Sequence, residues 1–143
     1  MINIQQWEAY FAHRDALIAA EINAIKQVET QHETASNAAE AATDAEIAAL
    51  DTEYDNTIDH VFALREKEST AVQKGGYDTF FEKYRGWIRA IQADAVTRRS
   101  AIYAAAKATR NALWERKLAN IKAIEAEYQE KAKGLTFETF TKK

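Results

Sequence analysis

The pair Gly75-Gly76, within the stretch Gln73-Lys74-Gly75-Gly76-Tyr77, decides the predicted fold of this chain. The chain has 143 residues, no proline and only four glycines, two of which form this pair near the midpoint. Proline and glycine are the residues that most strongly interrupt a helix, so their scarcity elsewhere favours long helices. The stretch therefore predicts a turn at residues 75–78 between two helical arms.

The first arm is predicted to run from about residue 4 to residue 74. Its apolar residues recur in steps of three and four, the spacing that places side chains on one face of a helix. Arg14 and Glu21 fall where a strict seven-residue repeat needs apolar groups, so the pattern is helical without being a regular heptad. The apolar face contains Ile4, Trp7, Phe11, Ile18, Ile22, Ile25, Val28, Ala35, Ala39, Ala42, Ile47, Leu50, Tyr54, Ile58 and Val61.

The second arm is predicted from about residue 79 to residue 133. Thr79, with Glu82 three residues later, forms a capping-box pattern that is typical of a helix start. Gly134 followed by Leu135 predicts the helix end, because glycine readily adopts the left-handed conformation of a C-terminal cap. Residues 134–143 are predicted to form a short extended tail, whose phenylalanines need a surface to cover them.

Charge is distributed unequally between the two halves. Residues 1–73 carry four basic and fourteen acidic side chains, a net charge of −10, whereas residues 74–143 carry fifteen basic and eight acidic side chains, a net charge of +7. If the chain folds about Gly75-Gly76, residue i faces approximately residue 151 − i, and acidic residues 33–59 lie along the more basic residues 92–118. The alanine-rich segments of the two arms also meet.

Composition and charge together predict an all-α fold, a long antiparallel helical hairpin that resembles a coiled coil with an alanine-rich waist. We expect residues 1–143 to form a single helical domain. A four-helix bundle is the alternative, in which the first arm breaks near Ser36 and the second near Thr109. Neither segment contains glycine or proline, so the unbroken hairpin is the favoured prediction.

Residue types that carry catalysis or bind metals are sparse and poorly arranged. The chain has no cysteine, which excludes thiolate chemistry and disulfides. All three histidines, at positions 13, 32 and 60, lie in the first arm. The spacing of Glu29 and His32 therefore has no copy in the second arm, as a di-iron bundle would require. We predict a protein that is not an enzyme and has no catalytic, cofactor-binding or metal-binding residues.

Aromatic residues near both ends of the predicted hairpin are the candidate contacts for a partner. Helices gain most of their stability by packing an apolar face, and two helices alone cover little area. We therefore predict a structural or interaction protein that self-associates or joins a larger assembly, for example as a component of a phage virion. The candidate contact residues are Trp7, Tyr10, Phe11, Tyr77, Phe80, Phe81, Tyr84, Trp87, Phe137 and Phe140.

Charge leaves two other functions open. The acidic segment 33–59 is typical of an inhibitor or adaptor that binds a basic partner protein. The basic second arm is the alternative, a nucleic-acid-binding surface, although the acidic arm beside it opposes much of its field. The cations of that candidate surface are Arg98, Arg99, Arg110, Arg116 and Lys117.

The N-terminal sequence lacks the basic and apolar regions of a secretory signal peptide. No apolar run approaches the roughly 20 residues that a membrane-spanning helix needs. From these two observations we expect a cytoplasmic or particle-associated protein.

Overall fold

The computed structural model describes residues 3–69 and 77–142, although the side chains of Tyr77 and Asp78 are outside this description. This part of the chain forms three helices: α1 (Ile4–Ser69), α2 (Tyr77–Ala132) and α3 (Phe137–Thr141). The two long helices pack against each other, which confirms the prediction of an all-α, hairpin-like fold. The predicted turn at Gly75-Gly76 lies outside the described residues.

Both long helices continue through the segments where a four-helix bundle requires breaks. Helix α1 passes through Ser36, and α2 passes through Thr109. Hydroxyl side chains are accommodated within α1 because they bond to its preceding turn, as Thr43 does by donating to the carbonyl oxygen of Ala39 at 3.0 Å. The long helices are therefore unbroken, and the bundle alternative does not describe this chain.

The packing of α1 on α2 is divided into two compact units. The terminal unit comprises Met1–Asn37 and Arg110–Lys143, and the central unit comprises Ala38–Thr109. Their boundary lies close to Ser36 and Thr109, the positions at which the bundle alternative placed its breaks. Both helices continue through these positions, which therefore mark a boundary between two packing units and not the end of a helix.

The central unit has a small apolar core where the end of α1 meets the start of α2. Val61, Phe80 and Tyr84 form one buried cluster, against which Ile88 and Ile91 pack. Tyr84 is only 2% exposed. The interior of this unit is therefore concentrated near the ends of the two helices that the predicted turn connects.

Inward-facing positions of both long helices recur every eleven residues. The repeat consists of steps of four, four and three, which appear in the buried or half-buried residues Leu50, Tyr54, Ile58 and Val61 of α1 and Ile91, Ala95, Arg99 and Ile102 of α2. Eleven residues in three turns give about 3.67 residues per turn, close to the roughly 3.6 of an undistorted α-helix. The departure from a heptad in the sequence therefore reflects a different regular repeat.

The start of α2 differs from the prediction. The helix begins at Tyr77, so Thr79 lies within its first turn and not at the cap that precedes it. Phe80, three residues into the helix, is 5% exposed and packs with Val61. Tertiary packing of this first turn against α1 accounts for an earlier start than the local capping pattern indicated.

The end of α2 agrees with the prediction, whereas the tail differs from it. Gly134 has φ = 73°, the left-handed conformation expected after the helix, and the N–H of Leu135 donates to the carbonyl oxygen of Ala132 at 3.0 Å. The tail then forms the short helix α3 and is not extended. Its capping box joins Thr136 and Thr139, each of which accepts a hydrogen bond from the other's backbone N–H.

Candidate interaction surface

Four predicted contact residues form an aromatic cluster within the terminal unit. The Trp7 ring stacks on that of Phe137, with centroids 3.9 Å apart and planes 4° from parallel. Tyr10 lies edge-on to Phe137 at 6.0 Å and 5.9 Å from Phe140. The Tyr10 hydroxyl also donates to the carbonyl oxygen of Leu135 at 3.3 Å. These contacts hold α3 against the first turns of α1, so the tail phenylalanines find their covering surface within the chain.

Phe11 lies beside this cluster but remains on the surface. Its ring centroid is 5.6 Å from that of Trp7, yet its side chain is 41% exposed. The guanidinium carbon of Arg14 lies 5.0 Å from the Phe11 ring centroid. Phe11 is therefore the member of this aromatic group with most apolar area available for a further contact.

The second aromatic group, near the start of α2, is divided between the interior and the surface. Phe80 and Tyr84 are buried in the core of the central unit, whereas Phe81 and Trp87 are 47% and 42% exposed. Consecutive residues of a helix point about 100° apart, so burial of Phe80 leaves Phe81 turned outward. The side chain of Tyr77 lies outside the described residues.

Tyr84 joins the apolar core to a charged group on α1. Its hydroxyl donates to the carboxylate of Glu68, which also accepts from the Lys83 ammonium at 3.1 Å. This hydrogen bond raises the pKa of Tyr84 to about 12, because ionising the phenol removes the donor and places a second negative charge beside Glu68. The Tyr84 hydroxyl and then Lys83 lower the pKa of Glu68.

Inter-helix ion pairs confirm the antiparallel register predicted from charge. Arg98 donates to both carboxylate oxygens of Glu53, at 2.7 and 2.8 Å. This bidentate contact lowers the pKa of Glu53. Glu53 with Arg98 and Glu68 with Lys83 both satisfy the relation between residue i and residue 151 − i. Arg99, next to Arg98, contacts Asp51 on the other flank of the helix pair.

Two rows of exposed side chains run along the flank that contains the Asp51–Arg99 pair. Each row repeats every eleven residues, so its members lie almost directly above one another on their helix. Every one of these side chains is exposed. The rows, together called the lateral face below, are Asp44, Asp55 and Glu66 on α1 and Arg85, Val96 and Lys107 on α2.

Sequence reasoning did not identify the lateral face because it sought a heptad. The sequence did contain the pattern: acidic residues recur about three helical turns apart on the first arm, and a second row with the same spacing lies on the second arm. Val96 is the most exposed apolar residue of the face, at 65%, and Tyr103 on the same side of α2 is 52% exposed. The face thus combines unburied apolar area with charge of opposite sign on its two helices.

An open depression in the central unit is lined by residues of α1 alone, between Ala48 and His60. Across residues 3–69 and 77–142, no three histidine, aspartate or glutamate side chains are grouped to hold a metal ion. Over the same residues, no helix combines the length and apolar character needed to cross a bilayer.

Comparison with known proteins yields no match to a protein-family model, a curated protein or a solved structure. The exposed and charged side chains of the chain itself are therefore what point to a function.

Proposed function

We propose that this chain is a non-enzymatic interaction protein, a helical hairpin that self-associates or packs into a larger assembly such as a virion. The observation that carries the proposal is the excess of exposed over buried apolar side chains. Among the described residues, four hydrophobic side chains are buried, whereas twelve large ones are exposed. A partner surface that covers the exposed group would supply the apolar burial that a helix pair lacks.

Scattered apolar residues are normal on a protein surface, but several of these lie together. Phe11, Ile18 and Ile22 on α1 are separated by steps of seven and four, which place them on one side of the helix. Trp114 and Leu118, four residues apart on α2, are also exposed in the terminal unit. Aligned apolar residues of this kind are suited to lateral contact with another helix.

The predicted contact residues have two roles under this proposal. Phe11, Phe81 and Trp87 carry exposed ring area and are the proposed direct contacts. Phe80 and Tyr84 are buried and set the orientation of α2, which turns Phe81 and Trp87 outward. The proposal therefore predicts that substitution of the exposed aromatics weakens association more than it weakens folding.

The test is the molar mass of the purified chain as a function of its concentration. Sedimentation velocity with multi-angle light scattering should give a species larger than the 16.2 kDa monomer, whose population rises with concentration. Replacing Phe11, Phe81 and Trp87 together by serine should lower that population while the circular dichroism of the helices is retained. A wild-type chain that stays monomeric throughout contradicts the self-association proposed here.

An adaptor for a basic partner is the second candidate function. It is favoured by the acidic residues of segment 33–59, of which only Asp51 and Glu53 contact cations of α2 among the described residues. Binding to a lysine-rich peptide, with affinity that falls steeply as salt increases, would support it. If the chain self-associates but does not bind such a peptide at low salt, the adaptor function is contradicted and the self-association proposal remains.

Nucleic-acid binding is less favoured by the same contacts. Arg98 and Arg99 are already engaged by Glu53 and Asp51. The Lys117 ammonium lies 5.0 Å from the ring centroid of Trp114, and Lys117 is half-buried. Salt-sensitive retention of the chain on a DNA column would support nucleic-acid binding.

A further inference from the structure

The two rows of the lateral face lie on the same flank of the central unit. Asp51 is four residues before Asp55, and its partner Arg99 is three residues after Val96, so the Asp51–Arg99 contact places both rows on its side. Glu53 and Arg98 make their contact on the opposite flank. The lateral face is therefore one continuous surface, with an acidic helix on one edge and a more basic helix on the other.

Members of the two rows lie at matching heights along the helix pair. Two inter-helix ion pairs, Glu53–Arg98 and Glu68–Lys83, fix a register in which residue i faces residue 151 − i, and the Asp51–Arg99 pair departs from it by one residue. Under that relation each member of the acidic row has a counterpart in the other row, and the matched positions are Asp44 with Lys107, Asp55 with Val96 and Glu66 with Arg85. Two of the three matched positions have opposite charges.

Among the described residues, these opposite charges form no ion pair between the two helices. Asp44 and Lys107 form no ion pair with any described residue, and neither does the carboxylate of Glu66. Among the described residues, the ion-pair partner of Arg85 is Glu82 of its own helix, at 2.8 Å. Matching in height without contact indicates that the two rows are available to a surface outside the hairpin.

We infer that this surface is the lateral face of a second copy of the chain, related by a two-fold axis parallel to the helices. The inference rests on the proposed self-association and adds a second contact region to it, one that does not include Phe11, Phe81 or Trp87. A parallel two-fold axis preserves height and exchanges left for right, so α1 of one copy faces α2 of the other. Asp44 then meets Lys107 of the second copy, and Glu66 meets its Arg85, twice each by symmetry.

The other two-fold arrangement is disfavoured by charge. An axis perpendicular to the helices places α1 against α1, which sets the acidic row of one copy against the acidic row of the other. Like charges at an interface oppose association, whereas complementary ones set orientation and partner choice. In this parallel arrangement Val96 faces Asp55 of the second copy, and Val96 and Tyr103 contribute apolar area between the two sets of charged pairs.

Complementary charge reversals test this arrangement. The variant Asp44→Lys/Glu66→Lys places cations opposite Lys107 and Arg85 of its copy, and Arg85→Glu/Lys107→Glu places anions opposite Asp44 and Glu66. The dissociation constant of each variant's homodimer should be roughly tenfold higher than that of the wild type, or more, since four pairs become repulsive. An equimolar mixture should recover dimerisation, because both sets of pairs are attractive in the heterodimer.

The measurement is sedimentation velocity for affinity and native mass spectrometry for the composition of the mixed dimer. A heterodimer that exceeds either homodimer supports the proposed face. The proposed face is overturned if both variants dimerise as tightly as the wild type, or if their mixture dimerises no better than either variant alone. Either result leaves self-association itself in place. A monomeric wild type overturns this inference together with the proposed function.

Single reversals on α1 provide a matched control. Glu46 is two residues after Asp44 and therefore points about 200° away from it around the helix. Asp44→Lys should weaken dimerisation, whereas Glu46→Lys, with the same change of charge, should leave it close to that of the wild type. Equal loss in both variants would attribute the effect to net charge and overturn the role of the lateral face. Circular dichroism checks that each variant retains its helices.

Discussion

Arg98 and Glu53 form a bidentate contact between the two long helices, in the antiparallel register that the charges of the sequence predict. Both side chains are about half exposed, so solvent screens their attraction and the contact orients the helices more than it stabilises them. The same register brings Lys83 to Glu68 nearer the start of α2. Two charged contacts along one unit thus define which residues of α1 and α2 meet.

Glu53→Gln should produce a small decrease in Tm at neutral pH, and the decrease should shrink as salt is added. The lowered pKa of Glu53 means that its stabilising contact is present above the ordinary value of 4.5 and is lost as pH falls through the lowered pKa. Thermal unfolding from neutral to acidic pH measures both effects. Glu46→Gln, which removes an exposed carboxylate that pairs with no cation among the described residues, is the control; an equal effect there would contradict the prediction.

The hydrogen bond to Glu68 should delay ionisation of the Tyr84 hydroxyl. The chain has six tyrosines, and Tyr84 is the one whose pKa the Glu68 hydrogen bond raises from 10.0 to about 12. A raised pKa means that the bond contributes stability below pH 10 and that this contribution is lost as pH rises through about 12. Ultraviolet titration of phenolate should show one delayed group that is missing in Tyr84→Phe. A wild-type titration curve that differs from that of Tyr84→Phe only in amplitude would contradict it.

Trp7→Ala should release α3 from the first turns of α1. The change removes the ring stacked on Phe137 and should destabilise the terminal unit by about 1–2 kcal/mol, less than for a fully buried aromatic. Limited proteolysis should then cleave first near residues 134–136. Phe11→Ala, which removes an exposed ring from the same turns, should leave the cleavage rate close to that of the wild type. Equal rates in both variants would contradict a role for the stack.

Substitutions of Val61 and Val96 should affect folding and association separately. Val61 is 5% exposed in the central core, and Val61→Ala should destabilise the fold by about 2 kcal/mol through the cavity it leaves. Val96 is 65% exposed, so Val96→Ala should change Tm little but weaken dimerisation. Chemical denaturation at low protein concentration, followed by sedimentation, measures the two quantities separately. If Val96→Ala lowered the free energy of unfolding and left dimerisation unchanged, Val96 would contribute to the fold and not to the interface.

Long-range features of the fold could be predicted where simple physical rules act along the whole chain. The scarcity of glycine and proline indicated long helices, folding about Gly75-Gly76 placed Glu53 opposite Arg98, and Gly134 marked the end of α2. These signals depend on backbone propensity and on charge, which the sequence displays directly.

Features that depend on the rotation of a helix could not be predicted in the same way. Phe80 and Phe81 are adjacent and chemically identical, and only the packing of α2 on Val61 decides that the first is buried and the second exposed. The short helix α3 was missed because its capping box has Thr139 where glutamate or glutamine is usual. The lateral face was missed because its repeat of eleven residues was not considered.

The contact between Trp7 and Phe137 has a consequence for how the chain opens. Terminal turns of helices ordinarily fray, and local unfolding usually begins at chain ends. Here the N-terminal turns of α1 and the helix after α2 are joined by stacked and edge-on rings, so neither end can fray without separating the aromatic cluster. Amide hydrogens in the first turns of α1 are accordingly expected to exchange more slowly than those of an unattached helix end.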